Sequence, residues 1–254
     1  MQILVTNDDG VAAPGLVALA SEMRTLGQVN VIAPDHNWSA SGHVKTMHRP
    51  LRVKATTLID GSPAWASDGA PSDCVALGLL GFIKEKIDLV VSGINPNANI
   101  GHDVTYSGTV TAAMEAAIGG VPGIAFSLHA PEELLGTIDF NPAARIAHRI
   151  VERLIHHGLS ANLLLNVNIP YLKEDEIKGI QVTRQGLRIY RDRLDRRVDP
   201  RGRPYYWIGG DSPTAILDEG TDFNAIENGY VSITPLNLDL TDFQSLDSFR
   251  KIPW

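Results

Sequence analysis

Short apolar runs recur along the chain without strict alternation: Ile3 to Thr6, Val29 to Ala33, Leu89 to Ser92, Ile124 to Leu128 and Leu163 to Val167. Runs of this kind read as strands buried on both faces, as in a parallel sheet. Between them, Pro14 to Leu26, Ala70 to Lys86, Gly108 to Gly119 and Asn141 to His157 carry apolar residues at three- and four-residue spacing, which predicts helices. Strand alternating with helix predicts a three-layer, Rossmann-like α/β fold with a mostly parallel sheet covered on both faces. Ligands of such sheets lie beyond the carboxyl ends of the strands. The loops that begin at Asn7, Pro34 and Gly93 are therefore the ones to read for chemistry.

From about Gly179 the pattern changes to shorter polar and aromatic segments, with eight arginines and three aspartates between Arg184 and Arg203. This stretch reads as an extended hairpin or arm: a solvated one, or one that packs on a partner subunit. A nucleic-acid patch is disfavoured, because the basic surplus is local. Residues 1–178 are read as the α/β core and 179–254 as the arm and a closing segment of the same unit, with neither internal repeats nor low-complexity tracts.

Composition narrows the field further. With 254 residues, 44% of them hydrophobic and 20% charged, the chain has the makings of a globular protein with a sizeable core. A formal charge of -7 speaks against a nucleic-acid partner, whose binding rests on a basic surplus. The lone Cys74 cannot form an intrachain disulfide, and no Cys and His cluster has zinc-site spacing. The opening MQILVTNDD reads as a strand rather than a signal peptide. The longest nearly apolar run, Cys74 to Ile83, is far shorter than the roughly 20 residues of a membrane span. The expectation is a cytoplasmic protein without a membrane partner.

Asp8 and Asp9 follow the first strand directly, and Gly10 supplies the freedom for a sharp turn that would bring both carboxylates to one point. Adjacent carboxylates repel unless a cation lies between them. The plain alternative is an Asx turn and a cap for the helix beginning near Pro14. The second loop, from Ala33 to His43, adds hydroxyls, and the third, from Ser92 to Gly101, adds three asparagine amides. Oxygen ligands of this kind suit Mg²⁺ or Mn²⁺. Next comes Tyr106-Ser107-Gly108-Thr109-Val110, where small residues open an alanine-rich helix. Such a start can receive a phosphate on its free N–H groups, or be an ordinary Ser or Thr N-cap.

These segments resemble the SurE family, the stationary-phase survival protein, a metal-dependent nucleotidase. The resemblance is carried by ILVTNDDG, the APD loop ending in SASGH, Pro71-Ser72-Asp73-Cys74-Val75, SGIN through NIGHDVTYSGTV, and VSITPLNLDLTD from Val231 to Asp242. It implies one divalent metal per subunit, Mg²⁺ or Mn²⁺, held by Asp8, Asp9, Ser39 and Asn95. It also implies that Asn99, Ser107, Gly108 and Thr109 help hold the phosphate of a nucleoside monophosphate, and that the arm exchanges between subunits of a homodimer or homotetramer. Asn97 stands where many members have glycine, and Ala70 where Thr is common.

The expected activity is that of a 5′-nucleotidase, extending to 3′-nucleotides and short polyphosphate, with Asp8 or Asp9 orienting the attacking water. His43 is a further candidate for substrate contact, read more simply as supporting the site; His102 is read the same way. Two rival readings are an aspartyl-phosphate phosphatase with Asp8 as nucleophile, and a nucleotide-binding sensor without turnover.

Overall fold

A computed structural model describes residues 1–131 and 136–254, without the side chains of 211–213. The chain runs β1 (Gln2–Thr6), α1 (Pro14–Met23), β2 (Gln28–Pro34), β3 (Val53–Thr57), β4 (Pro63–Ser67), α2 (Pro71–Leu77), β5 (Leu89–Asn95), α3 (Gly108–Ile118), β6 (Gly123–His129), α4 (Asn141–His157) and β7 (Leu164–Pro170). It continues through β8 (Ile180–Val182), β9 (Arg188–Val198), β10 (Pro204–Ala215), α5 (Asp222–Glu227), β11 (Val231–Pro235) and α6 (Leu246–Arg250).

One nine-stranded sheet, in the order β3-β4-β2-β1-β5-β6-β7-β11-β8, forms the middle layer. The pairings from β4 across to β7 are parallel, while β3 and β11 run antiparallel to β4 and β7. The alternation of side chains along β1 serves the two faces separately. Ile3 and Val5 pack with Leu16 and Leu19 of α1 and Ile146 and Ile150 of α4, whereas Leu4 packs with Val75 of α2 and Ala112 and Ala116 of α3. The three-layer α/β expectation holds. Among the described residues no helix is long and apolar enough to cross a membrane.

Some elements depart from the sequence pattern. The helix expected over Ala70 to Lys86 ends at Leu77, continues as a wide turn over Gly78–Phe82, and stops where Gly81 takes φ 108°. A Cβ on Gly78 would lie 2.6 Å from Leu4 Cδ2, so glycine lets this segment press on β1 and weakens it as a helix. The strands β3, β4, β8 and β11 lacked continuous apolar runs, because β3 and β8 present exposed or half-exposed side chains. After residue 178 the chain contributes β8 and β11 to the main sheet and sends out β9 and β10 as a separate antiparallel ribbon.

Among the parallel strands the order reverses beside β1. From β1 the chain moves outward to β2, then returns to β5 on the other side of β1. This is a topological switch point, where a crevice opens at the carboxyl ends of the strands. Thr6 lies opposite Ser92, so Asn7–Asp9 and Gly93–Asn95 leave the sheet side by side.

Candidate active site

The turn after β1 is closed by Asn7. Its Nδ2 donates to the Gly10 carbonyl at 3.1 Å, and its Oδ1 accepts the Gly10 N–H at 3.2 Å. Gly10 takes φ 101°, the left-handed freedom that the turn requires. α1 is preceded by Ala13 and has no side-chain cap. The Asx-turn and cap alternative for Asp8 and Asp9 therefore falls away: Asn7 makes the turn and neither aspartate caps the helix.

Asp8 is 3% exposed. Thr109 Oγ1 donates to its Oδ1, and Gly108 lies so close that an added Cβ would stand 2.6 Å from Asp8 Cβ. Burial pushes the Asp8 carboxyl above its ordinary value, against a smaller pull from the Thr109 hydroxyl and the Gly108 and Thr109 amides. Asp9 is half-buried, and burial, followed by repulsion from Asp8, pushes its carboxyl up to about 7. Among the described residues no basic side chain pairs with either carboxylate. Two shielded acids side by side without a protein cation have the chemistry of a cation site. Among the described residues no three His, Cys, Asp or Glu side chains converge, so other ligands would be neutral oxygens.

Neighbouring loops supply such oxygens. The second loop is tied to the first by Trp38 N–H on the Asp8 carbonyl and Val11 N–H on the Pro34 carbonyl, each at 2.8 Å. Ser39 is exposed on that loop, its N–H held by Asn37 Oδ1 at 2.7 Å. Asn95 closes β5 and donates its amide nitrogen to the Asn97 carbonyl, which leaves its oxygen available to a cation. The residues proposed for phosphate divide. Thr109 and Gly108 meet Asp8 directly, while Ser107 is the N-cap of α3, its Oγ accepting the Val110 N–H at 3.1 Å. Asn99 is built into the sheet edge: its side chain donates to Ser127 Oγ at 2.7 Å, and its peptide N–H donates to Asn168 Oδ1 at 2.8 Å.

His43 is engaged elsewhere. Its Nε2 lies 3.0 Å from Glu115 Oε2, and Lys45 Nζ donates to Glu115 Oε1 at 2.9 Å. Residues 42–46 form a strap over α2 and α3, in which Gly42 N–H donates to the Tyr106 carbonyl at 2.9 Å and Thr46 N–H to Asp73 Oδ1 at 2.9 Å. The His43 hydrogen bond is the main reason the Glu115 carboxyl lies below its ordinary value. His102 is exposed. Glu115 was missed by motif reading. Its signal was a carboxylate seven residues after Gly108, on the face that Gly108 and Ala112 bury.

Comparison with known proteins finds relatives over the whole chain. The family model described as Survival protein SurE matches residues 3–192. A 5′-nucleotidase SurE of Chloroflexus aggregans is 51% identical over 254 residues, spanning 100% of both chains. One from Aquifex aeolicus is 45% identical over 248 residues, 97% of this chain and 96% of that one. The crystal structure of the SurE protein from Aquifex aeolicus superposes with a TM-score of 0.82 at 43% identity, covering 98% of each chain.

The Gly108–Asp8 contact leaves no room for a methyl group. Gly108→Ala is expected to push α3 and Asp8 apart, costing about 1–3 kcal/mol in urea unfolding, the usual scale of overpacking. A stability and a hydrolytic rate equal to wild type would show that the close approach does not matter.

Proposed function

The chain belongs to the SurE family, and from that premise we infer that it is a metal-dependent 5′-nucleotidase, converting nucleoside monophosphates to nucleoside and phosphate. The observation that carries this reading is the pair of shielded aspartates, without a basic partner among the described residues, with Asp8 set against the amino end of α3 at the switch point of the sheet. Asp8 and Asp9 would hold a single divalent cation, Mg²⁺ or Mn²⁺, with Ser39 and Asn95 adding neutral oxygens. Such a cation supplies charge neutralisation for the phosphoryl oxygens and acidifies a bound water.

The residues do the positioning. Thr109 fixes the orientation of Asp8, and the start of α3 brings positive dipole character to where negative charge develops. Asp9, less buried than Asp8, is the carboxylate we assign to orienting the attacking water. Ser107, Gly108 and Thr109 line the phosphate's place, with Asn99 anchoring the loop from below. His43 supports the strap through Glu115. Phosphoryl transfer passes through a loose transition state, so positioning and electrostatics can account for most of the acceleration. Use of Asp8 as a nucleophile is disfavoured by its burial and by Thr109 holding one of its oxygens.

We place the protein in the cytoplasm, where its lone, fully buried Cys74, whose thiol burial pushes far up, stays reduced. The β9–β10 ribbon would pair subunits into a dimer or tetramer: Leu194, Trp207 and Ile208 are 67%, 61% and 79% exposed in the single chain.

Phosphate release from a panel of nucleoside monophosphates with Mn²⁺ or Mg²⁺ tests the activity. Asp9→Asn should lose at least about 100-fold in rate, the scale of removing a group that stabilises transition-state charge, and undiminished turnover at saturating metal would reject the assignment. The raised Asp9 carboxyl also sets a pH dependence. Its folded-state value lies above 3.8, at about 7, so the metal-free fold holds this proton more tightly than the unfolded chain. That stabilisation is present at low pH and is lost as the pH rises through about 7. Cation and proton compete for the same carboxylate. Mn²⁺ should thus raise the melting temperature more at pH 8 than at pH 5.5, and an equal rise at both would contradict the coupling. Shortening the ribbon by deleting 190–213 should lower the mass seen in sedimentation, whereas an unchanged mass would rule out pairing through it.

A further inference from the structure

Another buried carboxylate lies far from the acid pair in sequence. Asp222 is fully shielded from solvent and accepts three backbone N–H groups from separate parts of the chain. Its Oδ2 accepts from Gly101 at 2.9 Å, and its Oδ1 from Gly186 at 2.7 Å and Phe223 at 2.8 Å. Capping of α5 does not require all of this, since Thr221 is already its N-cap and accepts the Asn224 N–H. The bonds to Gly101 and Gly186 tie the turn after Asn99 to the root of the ribbon.

That junction is tight and continuous with the site. Gln185 Nε2 donates to the Gly101 carbonyl at 2.9 Å, so both backbone groups of Gly101 are engaged from this side. Gly101 takes φ 56°, and a Cβ on it would lie 2.5 Å from the Gly186 carbonyl oxygen. Arg188 pairs with Asp103, two residues further along the single turn Gly101–Thr105. The Asp103 carbonyl accepts the N–H groups of Tyr106 and Ser107, each at 3.0 Å. Ser107 caps α3, whose next two residues meet Asp8.

We propose that Asp222 is a positioning residue for the hydrolytic site: by holding Gly101 against Gly186 it fixes the Gly101–Thr105 turn, and hence the start of α3, relative to Asp8. The inference rests on the nucleotidase reading of that site. A carboxylate suits this task because it is acceptor-only and its charge strengthens each bond to an N–H. An amide in its place puts an NH₂ group against at least one of the same N–H donors.

The test uses full-length protein loaded with Mn²⁺ and a nucleoside monophosphate that wild type hydrolyses, comparing kcat and KM for Asp222→Asn and Gln185→Ala. In Asp222→Asn, kcat should fall about ten- to a hundredfold, as small misplacements of reacting groups cost. Its Mn²⁺ affinity by calorimetric titration should change by a smaller factor than kcat, because the cation's carboxylates lie on another loop and meet α3 only through Gly108 and Thr109. Gln185 is exposed, and Gln185→Ala should shift kcat in the same direction by a smaller factor. Wild-type kcat and KM in both variants, at a temperature where circular dichroism shows both folded, would overturn the proposal, as would a loss that tracks only the unfolded fraction. Should Asp222→Asn fail to fold, Gln185→Ala and Arg188→Gln decide by the same criterion, with Arg188→Lys expected to recover part of the loss. Absence of phosphate release by wild type itself would defeat the nucleotidase reading and this inference with it, an outcome distinct from active wild type with indifferent variants.

Discussion

Asp8 is nearly out of reach of water, with the Thr109 hydroxyl donating to it and Gly108 standing where any side chain would strike it. Burial disfavours the charged form of a carboxylate, and a second carboxylate next to it makes matters worse. The amino end of α3 offsets part of that cost, since a helix start carries partial positive charge. The remainder is visible in both aspartate carboxyls being held above their ordinary value, with no basic group among the described residues to relieve them. A divalent cation would relieve the repulsion at once, whereas packing alone cannot. On the hydrolytic reading, the close approach of helix to carboxylate would bring the developing charge of a phosphoryl group and the groups that stabilise it into one small volume.

The rest of the fold delivers that contact. A parallel sheet buried on both faces keeps β1 rigid, because Ile3 and Val5 belong to the layer of α1 and α4 while Leu4 belongs to that of α2 and α3. The reversal of strand order beside β1 then leaves a crevice in which the turns after β1 and β5 emerge together. The helix that faces Asp8 is small-residue-rich from the start, and Ala112, Ala113 and Ala116 are all fully buried. Bulkier residues at those positions would hold α3 off the sheet.

Much of this was legible in the chain itself. Buried parallel strands announce themselves as continuous apolar runs, and α4 was readable to its end residues because its apolar face and polar face are sharply divided. The two aspartates, Gly10 and the Ser-Gly-Thr start of α3 are local features, so a local reading found them. Strands such as β3 and β8 escaped because half of what defines them is a neighbour in space, not a pattern in sequence. The hydrogen-bond partners of His43 and Asn99 were hidden for the same reason. Both residues lie beside site motifs, yet the partners that hold them, Glu115 in one case and Ser127 and Asn168 in the other, are 72, 28 and 69 residues away. Distance in sequence conceals hydrogen-bond partners that motif reading cannot supply.

Those distant partners share a feature. Glu115 receives the strap through His43 and Lys45, Asp73 receives it through Thr46, and Asp222 receives the turn at Gly101 together with the ribbon root. Each is a carboxylate buried in or beside a helix, and each holds a loop segment through hydrogen bonds. A loop rich in Gly, Ser and Asn gains little from the hydrophobic effect and loses much backbone entropy on ordering. Charge-assisted hydrogen bonds in a shielded setting are among the few interactions strong enough to order it. Electrostatic stabilisation of a transition state works only if the stabilising groups are in place beforehand. On the proposed reading, anchoring carboxylates outside the acid pair would answer the same requirement as the acid pair itself: the first would hold the loops still, and the second would use the stillness.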